Sequence, residues 1–125
     1  MKRIAIAAVL LVMLVGPARA GFDEGVAAYE RGDYATALKE FRPLAEQGDA
    51  DAQCDLGEHY AKGENSLQDV VAGHKWYSLC AALGGSGAGA RDELARAMTD
   101  RELAQARRQA REWWAKFREA RKKKQ

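Results

Sequence analysis

The chain has 125 residues, which is room for one domain, and its 20 Lys and Arg against 18 Asp and Glu give a formal net charge of +2. Only two histidines and two cysteines are present, so any metal or nucleophile chemistry would have very few residues to work with.

The first 20 residues have the layout of a secretory signal. Lys2 and Arg3 form a positive n-region, Ile4 to Val15 is an unbroken apolar run of 12, Pro17 breaks any helix, and Ala18-Arg19-Ala20 places small residues at the two positions a signal peptidase reads. A run of that length is shorter than the roughly 17 to 25 residues a spanning helix needs. Cleavage after Ala20 is therefore expected, giving a periplasmic or secreted protein of 105 residues with no integral membrane span. Losing Lys2, Arg3 and Arg19 leaves 17 basic and 18 acidic residues, and these are unevenly spread. Residues 21–100 carry 7 bases and 15 acids, and residues 101–125 carry 10 bases and 3 acids. An acidic body thus ends in a basic tail, which either complements the body or binds a polyanion.

From residue 21 onward the chain shows helix signals and no alternating β-branched runs. Turn residues recur at Gly32-Asp33, Gly48-Asp49, Gly63 to Ser66 and Gly84 to Gly89, and the segments between them are long enough for three or four helical turns. "YERGDY" at 29–34 matches "YAKGEN" at 60–65 with a spacing of 31. Downstream the spacing becomes 36, with Phe41 over Tyr77, Ala45 over Ala81 and Gly48 over Gly84, so the second unit carries five extra residues in its inter-helix loop. A third half-unit sets Ala88, Ala90 and Leu94 against Ala50, Ala52 and Leu56. Paired helices at a period in the middle thirties predict a short all-α solenoid. Pro43 is expected to kink or end the second helix, and Gly73 to weaken the fourth by about 1 kcal/mol relative to Ala.

The segment "AQCDLGEHYAKGENSLQDVVAGHKWYSLCAALG", residues 52–84, resembles a Sel1-like repeat, a relative of the tetratricopeptide repeats. Leu56, Gly57, Tyr60, Gly63, Asp69, Trp76, Tyr77, Ala81 and Gly84 stand at the positions that carry that resemblance. The preceding "AYERGDYATALKEFRPLAEQGDADA", residues 28–52, resembles a degenerate copy, so the resemblance covers roughly residues 22–90, and Gly73 and Cys80 depart from the usual Ala. The resemblance implies antiparallel helix pairs, about two repeats over residues 21–98, and adaptor work between proteins on a concave face built from the first helix of each pair. Glu58, His59 and Lys62 are the expected contributors to that face. On helical spacing Trp76, Cys80 and Leu83 share one face with Tyr77 and Ala81 beside them, which makes "GHKWYSLCAALGG" a packing signature rather than a reactive site.

Cys54 lies near the start of one helix of the pair and Cys80 near the end of the other. Antiparallel packing lets them bridge, as in some secreted members of the family, closing a loop worth on the order of 3 kcal/mol. The competing reading is two small buried residues that never meet. Nothing is placed to activate either thiol. Asp55, His59 and His74 make too thin a constellation for a metal. "GGSGAG" at 84–89 follows a helix and lacks the Lys-Ser/Thr of a nucleotide loop, so it is expected to be a flexible turn.

After the N-cap Thr99, residues 100–125 run without Gly or Pro, acids early and bases late. Leu103, Ala106, Ala110, Trp113, Phe117 and Ala120 form a narrow apolar stripe. The expected role of 99–125 is an amphipathic helix capping the repeats, with 118–125 a frayed, solvated end. In the alternative, Trp113, Trp114 and Phe117 among the bases dock on anionic lipid or wall polymer. The sequence therefore predicts a non-catalytic protein-protein interaction module of the cell envelope, with no cofactor, no metal, no catalytic residue and no nucleic-acid partner. A surface binder working through the tail comes second and a cell-wall hydrolase a distant third.

Overall fold

The computed structural model describes residues 17–63 and 68–125. The expected n-region and apolar run of the signal, and residues 64–67 of the second unit's longer loop, lie outside the described residues. Among the described residues every regular element is a helix: α1 Pro17–Glu30, α2 Tyr34–Glu46, α3 Ala50–Lys62, α4 Val70–Ala82, α5 Ala88–Ala95 and α6 Asp100–Lys122. Pro17 starts a helix instead of breaking one, since the first helical position has no use for the N–H that proline lacks. The bond after Ala20 thus falls at the end of the first turn of α1.

The recurring Gly-Asp pairs act as two-sided punctuation. At Gly32 and Gly48, φ is 81° and 95°, the left-handed region that ends a helix. The following amide, of Asp33 or Asp49, donates back to the carbonyl of Ala28 or Leu44 at 2.9 and 3.0 Å. The same aspartate then caps the next helix, its carboxylate accepting from the amide of Thr36 at 3.3 Å or of Ala52 at 3.1 Å. Asp69 caps α4 through the amide of Ala72 at 3.0 Å. Pro43 neither ends α2 nor stops its regular part: the helix runs on to Glu46, the Pro43 carbonyl accepts from Gln47 at 3.2 Å, and the bond forgone is the one proline cannot donate toward Lys39.

Two close approaches repeat along the chain and hold each helix pair together. A Cβ on Gly25 of α1 would lie 2.6 Å from Cε1 of Phe41 on α2, and one on Gly57 of α3 would lie 2.6 Å from Cδ1 of Tyr77 on α4. In both, an aromatic ring lies flush on the backbone of the facing helix, and no side chain larger than hydrogen fits beneath it. The contacts Cys54–Cys80, Gly57–Tyr77 and Gly73–Ala61 descend one helix while climbing the other, so α3 and α4 run antiparallel. Phe22–Phe41 and Tyr29–Tyr34 establish the same for α1 and α2. These packing equivalents sit 32 and 36 residues apart, one more in the first helices than the turn alignment, because seven residues separate Gly25 from Gly32 and six separate Gly57 from Gly63. Gly73 has its own reason: a Cβ there would press on the backbone of Ala61 at 3.1 Å, so the helix propensity it gives up is exchanged for a closer α3–α4 approach.

Gly57→Ala tests this packing. It gains about 1 kcal/mol of helix propensity, but overpacking against the base of the Tyr77 ring costs typically 1–3 kcal/mol. Chemical denaturation is expected to show a net loss, and a gain would show that the ring moves aside freely.

The core runs without interruption from Ala28, Phe41 and Leu44 through Leu56 and Leu79 to Trp76 and Trp113. α6 closes it by lying along α4. Trp113 meets Trp76 at 6.4 Å between ring centroids, and Phe117 covers the α2–α3 turn, where a Cβ on Gly48 would come within 2.8 Å of its ring. Thr99 and Glu102 form a reciprocal capping box at 3.1 and 2.9 Å. The expected frayed end begins later than residue 118: α6 remains helical to Lys122, exposed to solvent throughout its last turn.

Candidate functional site

A concavity of about 230 Å³ opens where the second halves of α1 and α3 flank the middle of α2, lined by Val26, Tyr29, Glu30, Phe41, Asp55 and Glu58. Val26, Tyr29 and Glu30 stand at i, i+3 and i+4 on α1, and Asp55 and Glu58 at i and i+3 on α3, so each helix offers one narrow stripe to the same opening. Phe41 forms the floor, 2 % exposed, held down by the absent side chain of Gly25. Three carboxylates rim an apolar base.

The acidity is concentrated at Asp55. Its carboxyl is pushed up to about 6, first by burial and then by the neighbouring charges of Glu58, Asp51 and Asp49. Glu58 pairs with Lys62 one turn on. At neutral pH Asp55 is ionised at the expense of that crowding, and a cation entering the groove relieves it. No group of three or more potential metal ligands occurs among the described residues.

Of the residues expected on the interacting face, Glu58 lines this groove and Lys62 stands exposed beside it. His59 does not belong there. It is 2 % exposed and packs edge-on against Tyr34 and Tyr60, because position 59 faces α2 rather than the opening. Tyr60 accepts a hydrogen bond from Arg42 across the unit boundary. On α6, Trp113 is likewise removed from any exposed surface, at 6 % exposure, while Trp114 and Phe117 are half-buried against it. Among the repeat-signature residues, Leu56, Gly57, Trp76 and Tyr77 are buried, and Gly63 and Gly84 adopt left-handed conformations with φ of 67° and 92°. The Ala81 carbonyl accepts from Gly84 at 3.2 Å.

Cys54 and Cys80 are joined, with their Cα atoms 5.4 Å apart. The turn that follows packs against the bridge. A Cβ on Gly85 would sit 2.4 Å from Sγ of Cys80, and one on Gly87 would sit 2.5 Å from the Tyr77 carbonyl and 3.1 Å from Sγ of Cys54. Gly85 and Gly87 of "GGSGAG" fold over the disulfide where larger residues would not fit, whereas a Cβ on Gly84 or Gly89 would meet nothing within 4 Å.

Val26 and Glu30 carry no sequence signal, and Tyr29 and Phe41 stand out in the sequence only as spacing matches to Tyr60 and Tyr77. Asp55 was weighed there only as a metal ligand. The stripe Asp51, Asp55, Glu58, at spacings of four and three, was the available signal. No helix among the described residues is long and apolar enough to cross a membrane. No protein-family model, curated protein or solved structure matches the chain.

Proposed function

We propose that this chain is a non-catalytic binding module that takes a cationic, partly apolar peptide segment of a partner protein in the groove between α1 and α3. The observation that carries the reading is the Phe41 floor ringed by Glu30, Asp55 and Glu58: an apolar anchor site with negative charge at its edge. Groove and rim come mainly from the first helix of each pair, where an adaptor of the Sel1-like class would use them. A disulfide packed against a glycine turn suits an oxidising compartment and supports export to the cell envelope after removal of residues 1–20. The tail-docking alternative is weakened because the ring of Trp113 is engaged in the core.

The test is fluorescence anisotropy with a labelled peptide of mixed Lys and Leu, and a Glu-for-Lys peptide as control. Binding of the Lys peptide alone is expected, weakened about tenfold in the double variant Asp55→Asn, Glu58→Gln, as loss of charge-assisted contacts implies. Affinity should also fall as the pH drops from 7 to 5, because Asp55 titrates at about 6 and its ionised form is the one a cation favours. Equal binding of both peptides, or an unchanged affinity in the double variant, would refute the reading.

A further inference from the structure

A second cavity, of about 330 Å³, lies where α4, α5 and α6 meet, on residues the acidic groove does not use. Its lining is His74 and Ser78 from α4, Arg91, Asp92 and Ala95 from α5, and Arg107 from α6. We propose that this cavity binds a phosphoryl-class oxyanion, either inorganic phosphate or a phosphate group on a small molecule, between Arg91 and Arg107.

Three features carry the proposal. First, two guanidinium groups from different helices converge on one hollow against a single carboxylate. Asp92 engages Arg91 only through Nε, at 3.0 Å, which leaves the terminal nitrogens of that fork available. Arg91 is also fairly well held, its side chain 31 % exposed. Second, Arg107 makes no ion pair among the described residues, although its neighbour Arg108 pairs with Glu112 on the same helix. Two arginines facing one space repel each other unless an anion lies between them, and a guanidinium fork matches phosphate oxygens in geometry as well as charge. Third, the base of the cavity is polar and buried. His74 is 5 % exposed, with Nδ1 3.5 Å from the Ser78 hydroxyl, so a donor other than arginine is available at depth. Burial first, then the charges of Arg91 and Arg107, hold the His74 imidazole below its ordinary range, which leaves it neutral at pH 7. The site at that pH therefore carries two positive charges and the one negative charge of Asp92, suited to an oxyanion rather than to a cation or an apolar ligand.

This inference stands independently of the peptide groove and is tested on the full chain by two-dimensional amide NMR with inorganic phosphate as probe, in chloride buffer. Saturable shifts are expected, confined to the neighbourhoods of His74, Ser78, Arg91 and Arg107. Arg107→Gln and Arg91→Gln should each weaken binding by roughly tenfold or more, the usual loss for a charged hydrogen-bond partner. Arg118→Gln, on the same helix but outside the cavity, should leave it unchanged. Arg107 is exposed, so its variant keeps the fold, and the NMR spectrum itself verifies that. Sulfate, whose charge is constant from pH 8 to 5, provides a second measurement. Its affinity should hold from pH 8 down through pH 7, where His74 stays neutral, and any proton His74 then gains beside Arg91 and Arg107 can only strengthen it. Linear, unsaturable shifts spread over residues 101–125 would overturn the site, as would a loss in Arg118→Gln equal to that in Arg107→Gln.

Discussion

Replacing Trp113 with alanine is expected to lower the unfolding free energy by about 3–5 kcal/mol, the usual cost of deleting a buried aromatic. At about 4–8 °C per kcal/mol for a domain of this size, the melting temperature should fall by at least about 12 °C. The reason is that this one ring joins three parts of the molecule. It stacks on Phe117 with centroids 4.7 Å apart and planes 15° from parallel, meets Trp76 of α4 at 6.4 Å, and donates from Nε1 to Glu46 at the end of α2 at 2.9 Å. Without it α6 loses its anchor to the rest of the core, and Phe117 loses the surface that holds it over the α2–α3 turn. Trp113→Phe separates the contributions: it keeps an aromatic surface and removes the bond to Glu46, so a smaller loss of about 1 kcal/mol is expected. Trp114→Ala, at a half-buried position, should fall well short of Trp113→Ala. If Trp113→Ala melts within about 2 °C of the parent, a shift that corresponds to well under 1 kcal/mol, α6 does not close the core in solution.

The difference between these two tryptophans shows what the sequence could and could not reveal. The stripe from Leu103 to Ala120 identified which side of α6 is apolar, and Trp113 lies on it while Trp114 lies one residue off. Periodicity could not supply the partner at Glu46, 67 residues away, because a hydrogen bond across that separation depends on how whole helices are placed. The glycine-ring contacts divide in the same way. Gly57 and Tyr77 were legible as positions of the repeat-like segment, but Gly25 beneath Phe41 was not, since residues 21–51 show that pattern only weakly although the same glycine-on-ring contact forms there. His59 was misplaced for a related reason: on a helix packed on two sides, one residue of rotation separates the groove-lining Glu58 from a neighbour buried against α2. The groove itself is assembled from three helices, two of them outside the segment 52–84 that carries the resemblance, so only its α3 stripe left a trace in the sequence. The fold class was recoverable because caps, Schellman turns and amphipathic faces are local, and each agrees with the others.

Opening the Cys54–Cys80 bond is expected to cost about 3 kcal/mol by loop-entropy reasoning, and so to lower the melting temperature by about 12–24 °C. The bridge spans 26 positions in sequence and ties the first half of α3 to the end of α4. The loop it closes contains the second unit's long connection, whose freedom in the unfolded chain the bond restricts. The loss should not spread evenly. α1 and α2 are held by their own glycine-ring contact and by the Gly-Asp turns. α4, by contrast, contains Gly73 and carries α6 on its outer face, so slackening it loosens Trp76 against Trp113 as well. Hydrogen exchange should therefore accelerate in α4 and α6 more than in α1. Reduction of the parent chain and the double variant Cys54→Ala, Cys80→Ala should agree in melting temperature to within the small packing difference between a thiol and a methyl group. The glycine turn adds a kinetic expectation, because Gly85 and Gly87 lie against the two sulfurs and restrict the approach of a thiol reductant. Reduction under native conditions should be slow, and it should accelerate when mild denaturant opens the turn. Rapid native reduction with no change in melting temperature would mean that the bridge lies outside the cooperative fold, and that the glycine turn does not shield it.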